Sequence, residues 1–216
     1  FRDKNKLKDF YQLSGRRVLS TFGLLSPGKS IETTLDALPA IVEANPSVIF
    51  LIIGKTHPGV LRVEGEKYRN FLEAKIKELG MEDYVLFINQ YLELPVLLEY
   101  LQLTDVYLFT SSDPHQAVSG TFVYAVSCGC PIIATPIPHA LELLSDDSGI
   151  IFDFKNSVQL SEAANRLLAD EKLRVEMKLV GLQKTAATAW ENVAIAYAYL
   201  FQKVGKVEEE LVYSLP

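Results

Sequence analysis

Apolar positions along the chain switch between two periods. RRVLSTFG (16–23) is a short β-type run closed by glycine. SIETTLDALPAIVEANP (30–46) then places Ile31, Leu35, Leu38, Ile41 and Val42 at helical spacing and stops at Pro46. SVIFLIIG (47–54) is apolar almost throughout, the pattern of a strand covered on both faces of a parallel sheet. GEKYRNFLEAKIKELG (65–80) reads as an amphipathic helix ending on Gly80. YVLFINQ (84–90) predicts a strand, and ELPVLLEYLQLT (93–104) a helix with Pro95 in its first turn. DVYLFTSS (105–112) is again strand. A helix over 121–128, a strand over 131–135, a helix over 138–145 and a strand over 149–154 follow. Helices are expected over 157–169, 171–183 and 188–204, the last carrying the only tryptophan, Trp190.

Five or six β-α units in series predict an α/β fold: a Rossmann-like parallel sheet of about six strands with helices on both faces, followed by C-terminal helices. Residues 1–204 are expected to form one domain, with 205–216 as a tail or linker. Such sheets bind ligands outside the carboxyl ends of their strands. The stretches to read for chemistry are therefore 23–30, 54–65, 89–92, 111–121 and 135–140.

Composition narrows the classes. Of 216 residues, 49% are hydrophobic and 22% charged, which supports a sizeable core and excludes a disordered chain. The formal charge of −6 argues against a nucleic-acid partner, which would reward clustered cations. The nearest cluster, KNKLK at 4–8, reads as the solvated face of a short helix. The two cysteines, Cys128 and Cys130, flank one glycine and have no second Cys or His pair to complete a zinc pattern. They read as buried thiols in a reducing compartment. No apolar run reaches the length of a membrane span. The chain opens on Phe, and the expectation is a piece of a longer protein.

GLLSPGKS (23–30) has glycines at 23 and 28 for tight turning. Lys29 stands beside a helix start with Ser30 as N-cap, an arrangement suited to a diphosphate. It is neither a Walker A loop nor GxGxxG. The plainer reading is an ordinary strand-to-helix loop with a solvent lysine. In SSDPHQAVSGT (111–121), Ser119 and Thr121 can cap a helix, and Gly120 allows close approach. Two helix starts and one lysine at the same sheet edge could hold both phosphates of a nucleoside diphosphate; a merely capped helix is the alternative. GKTHPGVLRVEGE (54–66) reads as a long polar loop containing His57, and such loops at a ligand edge are often functional. His139 and Glu142 sit at the start of a later helix, and Tyr91 could stack on a base or simply pack.

Taken together, GLLSPGKSIE, SVIFLIIG and SGTFVYAVSCGCPIIATP, in that order, resemble the C-terminal, donor-binding half of GT-B fold glycosyltransferases, closest to the retaining family 4 (group 1) enzymes. The resemblance covers about residues 10–204. In that family the first loop reads Gly-Arg-Leu, three residues, Lys-Gly. Gly23 and Lys29 match, while Leu24 stands at the arginine and Ser30 at the second glycine. The family's second signature is Glu, seven residues, Glu-Ala, then Gly and a Pro-led strand. Gln116 falls on the first Glu and Tyr124 on the second; Ala125, Gly129 and Pro131 match. A branch of the family carries Thr-Phe-Gly-Leu-Leu-Ser, Thr-His-Pro and Ser-Gly-Thr at these places, as residues 21–26, 56–58 and 119–121 do.

The resemblance implies a two-domain enzyme with its cleft between the halves. It would transfer a sugar from a nucleoside diphosphate sugar, with retention, to an acceptor held by a missing N-terminal domain. No metal or other cofactor is expected. Lys29 and the N–H groups of Ser119, Gly120 and Thr121 would stabilise the departing diphosphate beside Gly23. Gln116, with His115 as a second candidate, would contact donor sugar or phosphate oxygens, so Lys29 and Gln116 are the expected catalytic pair. His57 joins the donor set, and Tyr91 and Tyr124 take the nucleoside. A cytoplasmic protein is implied, with contact to the inner membrane surface through the missing half. Two other readings stay open: a GT-B type nucleotide-sugar epimerase, and a non-catalytic binding or scaffold module, which Leu24 and Tyr124 favour.

Overall fold

The computed structural model describes residues 2–144 and 148–213, with backbone alone over 206–213. Six strands form one parallel sheet: β1 (Arg17–Phe22), β2 (Val48–Ile53), β3 (Val85–Ile88), β4 (Val106–Phe109), β5 (Ile132–Ala134) and β6 (Gly149–Ile151). Their order is β3-β2-β1-β4-β5-β6. The chain thus adds strands outward on one side of β1 and then crosses back to the other. That reversal opens a crevice beyond the carboxyl ends of β1 and β4. In register, Leu19 lies opposite Phe50 on one side and Val106 on the other.

The helices are α1 (Lys4–Phe10), α2 (Ile31–Ala44), α3 (Pro58–Glu64), α4 (Lys67–Glu78), α5 (Leu94–Leu103), α6 (Gly120–Ser127), α7 (Pro138–Leu143), α8 (Ser157–Ala169), α9 (Glu171–Ala186) and α10 (Trp190–Tyr213). The period of two along the strands sorts their side chains onto two faces. Leu19, Phe50, Ile52 and Leu108 pack with α2, α4 and α8, where Leu35, Leu38 and Leu160 are fully buried. Tyr107, Phe109 and Ile132 face Phe122 and Ala140 of α6 and α7, and Val18, Leu51 and Ile53 face Leu7 of α1. Burying each such large apolar side chain is worth roughly 1.5–3 kcal/mol. The two thiols are free and buried, as expected; burial pushes the Cys128 thiol up to about 11.

Four expectations change. The stretch 54–66 is not an irregular loop: Pro58 occupies the first turn of α3, and the His57 Nδ1 accepts the Gly59 N–H at 3.0 Å. The final helix runs past 204 and through Gly205 to Tyr213, with no proline in its sequence to stop it. The strand placed over 149–154 pairs only over three residues. Residue 145 of the helix placed over 138–145 lies outside the described residues, as does 214–216 of the tail.

The fourth change concerns KNKLK, which is not simply a solvated face. Lys4 and Lys8 turn inward onto Asp105, whose carboxylate accepts from the Lys4 Nζ at 2.8 Å, the Lys8 Nζ at 2.6 Å and the Val18 N–H at 2.6 Å. Burial alone would raise the Asp105 carboxyl, but the two ammoniums win and hold it below the usual carboxylate range. A depressed carboxyl stabilises the fold above its ordinary value and loses that contribution as pH falls through the depressed one. Asp105→Asn is expected to cost about 3 kcal/mol at neutral pH, because two partly buried cations lose their partner. The wild-type advantage should shrink below about pH 4, as urea titrations at several pH values would show. Equal stability of the two proteins at pH 7 would contradict this.

Candidate functional site at the strand carboxyl ends

Past Phe22 the chain turns at Gly23, whose φ of +127° excludes ordinary side chains. Space is tight as well, since an added Cβ would lie 3.0 Å from the Lys29 Nζ and 3.0 Å from the Thr121 Cγ2. The Lys29 ammonium is therefore folded back over Gly23 against the start of α6. Its Nζ stands 6.0 Å from the centre of the Phe109 ring. No carboxylate partners it among the described residues. Burial without a counter-charge pulls its pKa below the ordinary lysine value.

The loop carrying Lys29 is clamped from β4. The Thr110 hydroxyl donates to the Lys29 carbonyl at 2.6 Å, and the Ser112 N–H donates to the Gly28 carbonyl at 3.0 Å. Tyr107, fully buried, ties the same region from below: the Phe22 N–H donates to its hydroxyl at 3.4 Å, and that hydroxyl also bonds Thr21 and Thr121. Desolvation pushes this phenol up to about 12, so it stays protonated and available to donate.

The two expected helix starts are not equivalent. At α2, Ser30 sits in the left-handed region (φ 47°), and its hydroxyl bonds Thr33 rather than capping the backbone. The Ile31 N–H is taken by the Tyr68 hydroxyl at 2.9 Å, which in turn donates to Glu32 at 2.6 Å. The expected pair of free helix ends therefore reduces to α6. There the Ser119 hydroxyl accepts the Phe122 N–H at 3.4 Å, but the Ser119 N–H is already donated to the His139 Nδ1 at 3.1 Å. Ser119 caps the helix and cannot also offer its N–H to a phosphate. Gly120 and Thr121 hold the first two helical positions, whose N–H groups have no acceptor within an α-helix.

Other expected residues divide by position. Gln116 is spent within its own loop, accepting from the Ser111 hydroxyl at 2.6 Å. His115 is exposed, its N–H bonded to Asp113 at 2.9 Å. His57 is exposed and serves as the cap of α3, which leaves its ring Nδ1 occupied. Tyr91 and Tyr124 do come together: both line a cleft of about 320 Å³ at the ends of β1 and β2, with Gly23, Leu24 and Glu93. Tyr91 is 77% exposed, and Tyr124 stands edge-on to Phe22 at 6.2 Å. Glu93, Tyr107 and Thr110 escaped the sequence reading. Nothing in a strand pattern says which face Tyr107 takes, and Glu93 looks like any acid at a helix start.

A lysine held over a glycine turn, a helix start with two N–H groups left over and an aromatic-walled cleft all lie at the switch point of a β3-β2-β1-β4-β5-β6 sheet of Rossmann-like type, the edge at which such sheets bind ligands. Residues 3–181 match the model of the glycosyl transferases group 1 family, and the chain belongs to that family. Spore coat protein SA of Bacillus subtilis (strain 168) is 25% identical over 207 residues, 94% of this chain and 53% of that protein. The chain thus spans about half the length of that relative. The C-terminal domain of a group 1 glycosyl transferase (LpcC) from Francisella tularensis superposes with a TM-score of 0.75 at 20% identity, covering 87% of this chain and 93% of that one. Anabaena Alr3699/HepE, in complex with UDP, gives 0.76 at 22% identity, over 96% of this chain and 52% of the other. A sucrose-phosphate synthase from Thermosynechococcus elongatus gives 0.77 at 20%, over 94% and 49%. The expectation of a C-terminal half with this fold is borne out. Among the described residues, no helix is long and apolar enough to cross a membrane, and no cluster of three or more metal-ligating side chains occurs.

Proposed function

We propose that this chain is the donor half of a cytoplasmic retaining glycosyltransferase. It binds a nucleoside diphosphate sugar, and an N-terminal half outside this sequence holds the acceptor. The observation that carries the reading is the Lys29 ammonium, held against Gly23 and Thr121 with no carboxylate partner among the described residues. A diphosphate would supply the missing counter-charge, and the Gly120 and Thr121 N–H groups would take its remaining oxygens. As the glycosidic bond to the leaving phosphate breaks, negative charge grows on the diphosphate. Lys29 and the α6 dipole stabilise that charge, which a metal ion is then not required to do. The cleft bounded by Tyr91 and Tyr124 would take the nucleoside. The structures of the Anabaena relative contain UDP and UDP-glucose, which fits a donor of this class. Residues 1–204 act as the donor domain in this reading.

A second reading, a half that has lost its donor grip and serves as a scaffold, is favoured by Leu24 and Tyr124, both on the cleft wall. The two are separated by ligand-observed NMR on this chain with UDP, GDP, ADP and their glucose, mannose and N-acetylglucosamine conjugates. One nucleotide is expected to bind, and to lose that binding in a Lys29→Ala control. No binding to this chain or to the full-length protein would establish the scaffold. An epimerised sugar nucleotide formed without acceptor would establish an epimerase.

A further inference from the structure

The opposite edge of the sheet carries a second cleft, of about 270 Å³, at the amino ends of β1 and β5. Six cationic side chains line it: Arg2, Lys4, Lys8, Arg17, Arg174 and Lys178. Only two carboxylates do so, Asp105 and Glu171. In a chain of net charge −6, this concentration of cations runs against the average. We propose that this cleft is a binding site for a phosphate-class anion, separate from the donor cleft.

The internal pairing leaves the cleft short of negative charge. Asp105 is shared by Lys4 and Lys8, so one carboxylate serves two ammoniums. Arg2 is paired outward with Glu99. Arg174 has turned one end of its fork to the α8 carbonyls of Leu167 and Leu168, the latter at 2.9 Å. Arg17 makes no side-chain hydrogen bond or ion pair among the described residues, although it opens β1 at the mouth of the cleft. Lys178 lays its stem across Gly129, where an added Cβ would lie 2.9 Å from the Lys178 Cγ. Burial draws the Lys8 ammonium below the ordinary lysine value, and its attraction to Asp105 offsets this only in part. Guanidinium forks mixed with point-like ammoniums match the tetrahedral oxygens of a phosphate.

Independence from the donor cleft follows from the strand between them. Arg17 and Phe22 are the two ends of β1, five residue steps apart at about 3.3 Å each, so the two clefts open on opposite edges roughly 17 Å apart. The phosphate could belong to a soluble phosphorylated molecule or to an anionic lipid headgroup.

The test is NMR titration of this chain with inorganic phosphate, beside co-sedimentation with phosphatidylglycerol vesicles and with neutral phosphatidylcholine vesicles. Saturable shifts at Arg17, Lys8 and Lys178 are expected, and Arg17→Gln should weaken them about tenfold, the loss of one charge-assisted contact. Sedimentation with the anionic vesicles alone would name a lipid source; phosphate binding without sedimentation would name a soluble one. Shifts confined to Gly23 and Lys29, no shifts at all, or an Arg17→Gln protein that binds like wild type would each overturn the proposal. Because Arg17 is exposed and makes no side-chain hydrogen bond or ion pair among the described residues, its variant should keep the wild-type urea midpoint, which separates lost binding from lost structure.

Discussion

Lys29→Ala in the full-length protein will lower kcat/KM for the donor by about 10²–10³-fold, the loss expected when one preorganised charge donor is removed from a leaving group. The same substitution will leave the unliganded fold as stable as wild type or slightly more so. The reason lies in the lysine's surroundings. Its ammonium is buried beside Gly23, Thr121 and the Phe109 ring without a carboxylate among the described residues, so folding desolvates a charge and returns little for it. Removing it relieves that cost in the free protein and forfeits the attraction only when the diphosphate is present. A residue kept for packing would show the reverse, with lost stability and intact catalysis. Paired urea unfolding and steady-state kinetics read both quantities. Wild-type kcat/KM in the variant would sink the assignment of Lys29.

Gly54→Ala should be a heavily damaging small substitution at the sheet edge, costing about 3 kcal/mol. A Cβ on Gly54 would stand 2.0 Å from the Gly23 carbonyl oxygen and 2.9 Å from its carbon, and the φ of +134° is itself strained for any side chain. Strain of this kind and overpacking each cost about 1–3 kcal/mol. The clash falls on backbone, so no rotamer change can relieve it. The β1 and β2 ends must separate, although Gly23 and Gly54 are tied there by hydrogen bonds to Ile53 and Ile88. Since Gly23 forms the floor under Lys29, donor affinity should fall with stability. Gly28→Ala is the control: its Cβ would meet nothing nearer than the Ser26 Oγ at 3.9 Å, and its stability should stay within about 0.5 kcal/mol of wild type. Urea midpoints for the two variants that coincide would refute the steric account.

The order of strands and helices was legible because the apolar periods change abruptly and the breakers fall between them. SVIFLIIG could only be a strand covered on both faces, and β2 has that burial. The candidate phosphate contact at Lys29 was legible too, since glycine turns and a lysine before a helix carry their chemistry in their types. Pairing across the fold was not. His139 lies 20 residues from the Ser119 N–H it accepts. Tyr68 lies 37 residues from the Ile31 N–H it covers. Both subtract donors that a local reading counts as free, and no spacing rule announces either. Asp105 drawing KNKLK inward across 97 residues is the same kind of event.

What depends on neighbours along the chain could be read from it: the parallel α/β class, the sheet edge that carries the candidate site, the capping of α6 by Ser119, and a loop that joins Gly23 to Lys29. Only the tertiary structure decided which polar groups remain for a ligand. A hydrogen bond already made inside the fold is not available outside it, and its partner is chosen by which elements pack together. That is why the Ser119 and Ile31 N–H groups are already taken, Gly120 and Thr121 remain as the candidate donors, and the cations of α1, β1 and α9 gather into a cleft that no stretch of the chain reveals.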